Sequence, residues 1–207
     1  MSHDTTPATA ARPSRPRWSS WGGGALLAGG LVLLTATIIE YFVWQTTTLA
    51  TGVFVVFSVL FLANIVLYLV AMSALALADG GIAGRSAIGR TGLVLFGLGW
   101  AVGQAVYWSS YFLDALPVAL DVLGTVALVV TYAGAVAAAV VIALGRVVHG
   151  LARWSLVVGL AIGAICAGIA NAVSDQVLTT VLLSVSCAAQ AWVGLTYLRA
   201  RRRSDPA

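Results

Sequence analysis

Six stretches of the chain are apolar for the length of a bilayer crossing, and short polar or basic turns separate them. They lie at about 22–44, 51–77, 92–113, 118–145, 154–173 and 177–198. A hydrocarbon core about 30 Å thick calls for roughly 20 apolar residues in helix, so each stretch is long enough to cross. The pattern predicts an all-α integral membrane protein, a six-helix transmembrane bundle over 18–198. A disordered arm at 1–17, with Pro7, Pro13 and Pro16 and almost nothing to bury, precedes it, and a basic tail at 199–207 follows. Trp18 and Trp21 are read as markers of the first interface. Gln45 to Thr51 forms the first turn, and Asp114, in the turn that reaches Pro117, is placed to cap the fourth helix.

The third stretch carries two faces. Gly92, Gly99, Gly103 and Ser110 recur at helical spacing and invite a neighbouring helix to pack closely, while Gly97, Trp100, Gln104, Tyr107, Trp108 and Tyr111 occupy the adjoining side and offer polar groups. A second small-residue stripe, Gly159, Gly163 and Ala167, continues to Asn171 in the fifth stretch.

Charge gives the pattern a direction. Of 207 residues 60% are hydrophobic and 9% charged, the net charge is +4, and the mean hydropathy is +0.99, far from the soluble norm of about a quarter charged residues. With six crossings, Arg12, Arg15 and Arg17, then Arg85 and Arg90, then Arg146 and Arg153, then Arg199 and Arg201 to Arg203 all fall on one side. The positive-inside rule makes that side cytoplasmic and puts both termini there. Because the arginines flank spans rather than forming one soluble surface, nucleic acid is not an expected partner. All eleven basic residues are arginine, a usage associated with GC-rich bacterial genomes, so a bacterial cytoplasmic membrane is the expected location. The N-terminal charge order resembles that of a signal peptide, but the apolar run continues to about Trp44 and is read as a retained span.

Candidate chemistry is sparse. Gly84 to Thr91 has the spacing of a phosphate-binding loop with Arg in place of Lys, but it lies between two apolar helices instead of between a strand and a soluble helix, and reads as a flexible basic loop. His3 and His149 are the only histidines, and both fall outside the spans. Serines within the spans therefore have no embedded base to activate them, and no paired-histidine haem ligation or metal cluster is expected. Cys166 and Cys187 lie in apolar helices without a CxxC spacing and read as small buried residues. No cofactor and no catalytic role are expected.

Polar groups inside the spans carry more information, because burying them in a bilayer is costly. Glu40, Gln104, Tyr107, Tyr111, Asp121 and Asn171 map to the outer half, and Asn64, Thr131 and Tyr132 lie near the middle. Facing inward, Glu40, Asn64, Gln104, Tyr107, Tyr111, Asp121, Tyr132 and Asn171 would line one acidic vestibule open to the outside. Facing outward, Glu40 would reach the interface beside Tyr41 and Trp44, while Gln104 and Asn64 would bond neighbouring helices. Two functions follow, with the bilayer as the shared partner. The first is a non-catalytic membrane protein whose spans pack through their small-residue faces and which acts as an accessory or interaction partner, its small loops leaving no soluble domain for a separate active site. The alternative is a protein that binds or transports a small solute near Glu40 and Gln104.

Overall fold

The computed structural model describes residues 16–45, 52–113, 115–145 and 147–200, with the side chains of 44 and 45 excluded. The expected disordered arm apart from its last two residues, the turn at 46–51, the Asp114 cap, Arg146 and the tail at 201–207 lie outside the described residues. Those described are helical without any strand. A wide π-type turn at Trp18–Gly23 leads into α1 (Gly24–Gln45), followed by α2 (Gly52–Leu77) and a single 3-10 turn at Ala78–Gly80. α3 (Ala87–Ser109) runs into a second 3-10 turn at Ser110–Phe112, and α4 (Val118–Gly145), α5 (Leu151–Ala172) and α6 (Gln176–Arg199) complete the bundle.

Five of the six long helices are apolar enough to cross a membrane. These are Trp18–Val43, Gly52–Gly80, Val118–Gly145, Leu151–Ala172 and Gln176–Arg199, with mean hydropathies of 2.0, 2.8, 2.4, 2.0 and 1.6. α3 is not among them, because its glycines, Gln104, Tyr107, Trp108 and Ser109 dilute its apolar residues. It also begins at Ala87 rather than at Gly92, since the Ser86 hydroxyl accepts the Gly89 N–H at 3.2 Å and caps an earlier start. The outward faces suit a lipid solvent. Val55, Val59, Leu62, Val66 and Val70 on α2, and Val122, Val126, Val129, Val136 and Val140 on α4, are all exposed, an apolar surface far beyond what a protein in water presents.

The helices follow one another around the bundle in the order α4, α3, α2, α1, α6, α5, and α4 and α5 complete the ring by its sparsest contact. Two pairs are held by main-chain approach. A Cβ on Gly92 would stand 2.7 Å from the Gly134 carbonyl oxygen, and one on Gly134 would stand 2.7 Å from the Gly92 carbonyl oxygen, so α3 and α4 touch where neither has a side chain. α1 and α6 do the same: a Cβ on Gly30 would meet the Ala191 nitrogen at 2.6 Å, and one on Gly194 the Leu27 nitrogen at 2.2 Å. Gly30, Gly92, Gly134 and Gly194 are thus each met by another helix of the same chain.

At the end of the bundle that carries Arg17, Arg85, Arg90, Arg153 and Arg199, the elements are tied closely. Ser19 is fully buried and its hydroxyl donates to the Tyr197 carbonyl at 2.8 Å, with the Leu198 and Ala200 carbonyls at 3.1 and 3.2 Å. The same turn carries Trp18 into the core at 0% exposure, so Trp18 does not mark an interface, whereas Trp21 remains 67% exposed. The loop after α2 is also less free than its glycines imply. Arg90 donates from Nε to Gly84 at 2.8 Å and from Nη2 to Gly80 at 2.9 Å, so the guanidinium of the phosphate-loop-like motif is engaged with its own backbone.

Enlarging a glycine at a main-chain contact forces helices apart, and overpacking of this kind costs about 1–3 kcal/mol. Gly134→Ala and Gly194→Ala are expected to lower the thermal unfolding midpoint of the purified protein. Gly168→Ala, with nothing within 4 Å of the new methyl, is expected to hold or raise it, since alanine is the better helix former by about 1 kcal/mol. Equal effects at all three positions would contradict the packing.

Candidate functional site

Close packing on two sides leaves space where α4 and α5 part. A cavity of about 770 Å³ lies between the two, with α3 and α6 as its flanks and α1 and α2 as its floor. Its closed end is apolar, built from Leu26, Met72, Phe96, Leu156 and Val193, each buried. Its other end is polar and open: Asp121 in the first turn of α4 and Asn171 at the end of α5 are both exposed. Gln104, Thr125 and Tyr132 stand between the two ends. Small residues make the room. Gly103 and Gly124 border the space, and Gly163 and Ala167 continue the wall on α5, whereas Gly159 in the same stripe meets Val193 closely, at 2.5 Å from a built Cβ. The α5 stripe therefore serves packing at one end and cavity volume at the other.

A second recess of about 350 Å³ adjoins the first, and Tyr107 and Leu183 border both. Glu40 lies here. The hydroxyls of Tyr107 and Tyr111 both donate to Glu40 Oε1 and stand 3.4 Å from each other. These tyrosines are held by a helical stripe on α2. The Phe57 ring is 5.4 Å and the Phe54 ring 5.8 Å from Tyr111, and the Phe61 ring is 6.0 Å from Tyr107. Further along α3, the Trp108 indole donates to Ser58 at 3.3 Å and fixes the same helix to α2. The rest of the recess comes from Thr37 and Tyr41 on α1, Ser174 in the α5–α6 turn, and Gln176, Thr179 and Thr180 in the first turns of α6.

Of the eight residues expected to share one vestibule, the structure brings Gln104, Tyr107, Asp121, Tyr132 and Asn171 to the large cavity and sets Glu40 in the smaller recess. Tyr111 reaches the recess only through its bond to Glu40. Asn64 borders neither. It is fully buried on α2, with its Oδ1 3.5 Å from where a Cβ on Gly29 would lie, and neither amide atom has a hydrogen-bond partner among the described residues. One reading of the third helix also changes: Gly97, expected on the polar face, is seated against Met72 at 2.8 Å from a built Cβ. Thr131 on α4 lines the large cavity and donates its proton to its own helix at Ala127, 2.6 Å away.

Some contributors are not among the residues read from the chain. Gln190 lines the large cavity and is the one amide in the interior of α6, so the depth argument that selects Gln104 selects it equally. Its Nε2, like the Trp100 indole nitrogen on the opposite wall, is buried without a partner among the described residues. The threonines of the recess carried no such signal, because Thr and Ser are ordinary in membrane helices and Ser174 lies in a turn. The thiols are free: Cys187 packs with its sulfur 3.7 Å from the Thr37 hydroxyl, and Cys166 is buried. Among the described residues no group of three or more His, Cys, Asp or Glu is arranged to hold a metal ion.

No protein-family model matches the chain, and comparison with curated proteins and with solved structures likewise gives no match.

Proposed function

We propose that the protein is a multi-pass membrane protein that binds a small amphiphilic solute between its helices, as a receptor or as a step in its passage. The cavity between α4 and α5 carries this reading: its volume lies in the range of small-molecule sites, and its apolar depth ends in convergent polar groups. The solute would place an apolar body against Leu26, Met72 and Phe96 and a hydrogen-bonding group toward Gln104, Tyr132 and Asn171. Asp121 at the mouth disfavours an anion, and every described arginine lies at the opposite end. We propose binding rather than catalysis, because the lining offers amides, hydroxyls and a carboxylate, with no nucleophile beside a base among the described residues.

In the topology we propose, all six helices cross a bacterial cytoplasmic membrane, with both termini and the arginines inside. α3 has the length for it, about 34 Å at 1.5 Å per residue. Its lower hydropathy is acceptable because its neighbours α2 and α4, rather than lipid, cover much of its surface. The polar mouth of the cavity then faces outward.

Two experiments bear on this function. Gly103 borders the cavity with Ala127 3.9 Å from a built Cβ, so Gly103→Leu places a side chain in the space without forcing helices apart. Among matched neutral, cationic and anionic amphiphiles screened by thermal shift, the wild type is expected to be stabilised by non-anionic members and Gly103→Leu to lose the response. A response shared by both proteins, or strongest for anions, would refute the cavity as the site. Topology is read by a membrane-impermeant maleimide in a Cys166→Ala, Cys187→Ala background. Asp121→Cys is expected to be labelled in intact cells and Arg85→Cys only after permeabilisation, and the reverse pattern would invert the orientation.

A further inference from the structure

The expectation of one vestibule joined Glu40 to Gln104, but the structure separates them into two compartments divided at Tyr107 and Leu183. The smaller has a different chemistry. Apart from Leu183 its lining is polar or aromatic, with a carboxylate, threonine and serine hydroxyls and the Gln176 amide. Thr180 donates its proton to the Gln176 carbonyl at 2.8 Å, which leaves its oxygen as an acceptor. No arginine or histidine is among the lining residues.

We propose that the Glu40 recess is a binding site for a small alkylammonium ion, separate from the solute of the larger cavity and independent of that reading. An ammonium group has three N–H donors and no acceptor, which suits a carboxylate surrounded by hydroxyl oxygens. Tyr41 and Tyr107 line the same space and add aromatic side chains to the surroundings of the cation and its alkyl carbons. The two phenol hydroxyls on Oε1 hold the carboxylate in place before the ligand arrives. A volume of about 350 Å³ is more than a bare metal ion fills and lies at the low end of small-molecule sites.

α5 ends at Ala172, just before Ser174 of the recess, and so presents a partly negative terminus on this side. The N-terminus of α6, which would favour an anion, is already served by Asp175, whose carboxylate accepts the Leu178 N–H at 3.0 Å.

The test uses the full chain purified in a non-ionic detergent, titrated with ethylammonium chloride against equal concentrations of sodium chloride while the unfolding midpoint is followed. Saturable stabilisation by ethylammonium beyond that of sodium is expected. Glu40→Gln is expected to lose it, and Gly103→Leu, altered only in the other cavity, to keep it. Should Glu40→Gln fail to fold, Thr179→Val serves in its place: losing a hydrogen bond to a charged group weakens binding by about tenfold. Equal shifts with sodium, an unchanged response in Glu40→Gln or in Thr179→Val, or loss of the response in Gly103→Leu would each overturn the proposal. Because the amphiphile screen fails through Gly103 and this titration through Glu40, the two readings can be lost separately.

Discussion

Where Gly92 meets Gly134 and Gly194 meets Leu27, helices touch through main-chain atoms, and no side chain is available to adjust the distance between them. Within a bilayer the hydrophobic effect does not press helices together, because lipid is as apolar as leucine. Close van der Waals contact at small residues must supply the association. It does so here for two pairs, α3 with α4 and α1 with α6. With both pairs closed, α2 fills the side between α1 and α3, and α5 rests on α6. What remains is the opposite side, where α4 and α5 share the core near Ile142 and Ala152 but part toward Asp121 and Asn171. The cavity is thus a geometric consequence of where the glycines are and where they are not.

Much of the helical architecture was legible because apolar length in a membrane protein is a strong signal, and the small-residue faces on the third stretch do receive a close neighbour. Which neighbour was not legible. Gly92 and Gly99 pack on α4, Gly97 packs on α2, and Gly103 opens into the cavity, although all four are glycines on one helix. Periodicity gives the angle of a residue around its axis but not the identity of the helix that faces it. The start of α3 was misplaced for a related reason: hydropathy marks the apolar segment, while the helix itself begins at the Ser86 cap, two residues after the positive-φ Gly84.

The polar site was partly legible. Depth alone selected Gln104, Tyr107, Asp121, Tyr132 and Asn171, and these border one cavity. Depth could not separate Glu40 from them, because the dividing wall is made by Tyr107, a residue that belongs to both sides. Nor could it exclude Asn64. An asparagine in mid-helix reads the same whether it faces a cavity or a glycine, and here Gly29 removes the side chain that would otherwise occupy the space before it. Trp18 was misjudged by the same logic. Tryptophan favours interfaces, but Ser19 caps the end of α6 and draws its neighbour beneath the turn.

Among the described residues α3 is the one long helix not apolar enough to count as a membrane span, and it packs between α2 and α4. α3 carries Gln104, Tyr107, Trp108 and five glycines, a composition that keeps it out of the set of helices apolar enough to cross a membrane. Leu95, Leu98 and Val102 give α3 an exposed apolar face, while the sides covered by α2 and α4 are free to carry other groups. Tyr107 uses that freedom twice, bonding Glu40 on one side and lining the large cavity on the other. Its ring stands with Leu183 where the two spaces meet, so the same side chain that holds the Glu40 carboxylate also closes the large cavity on that side.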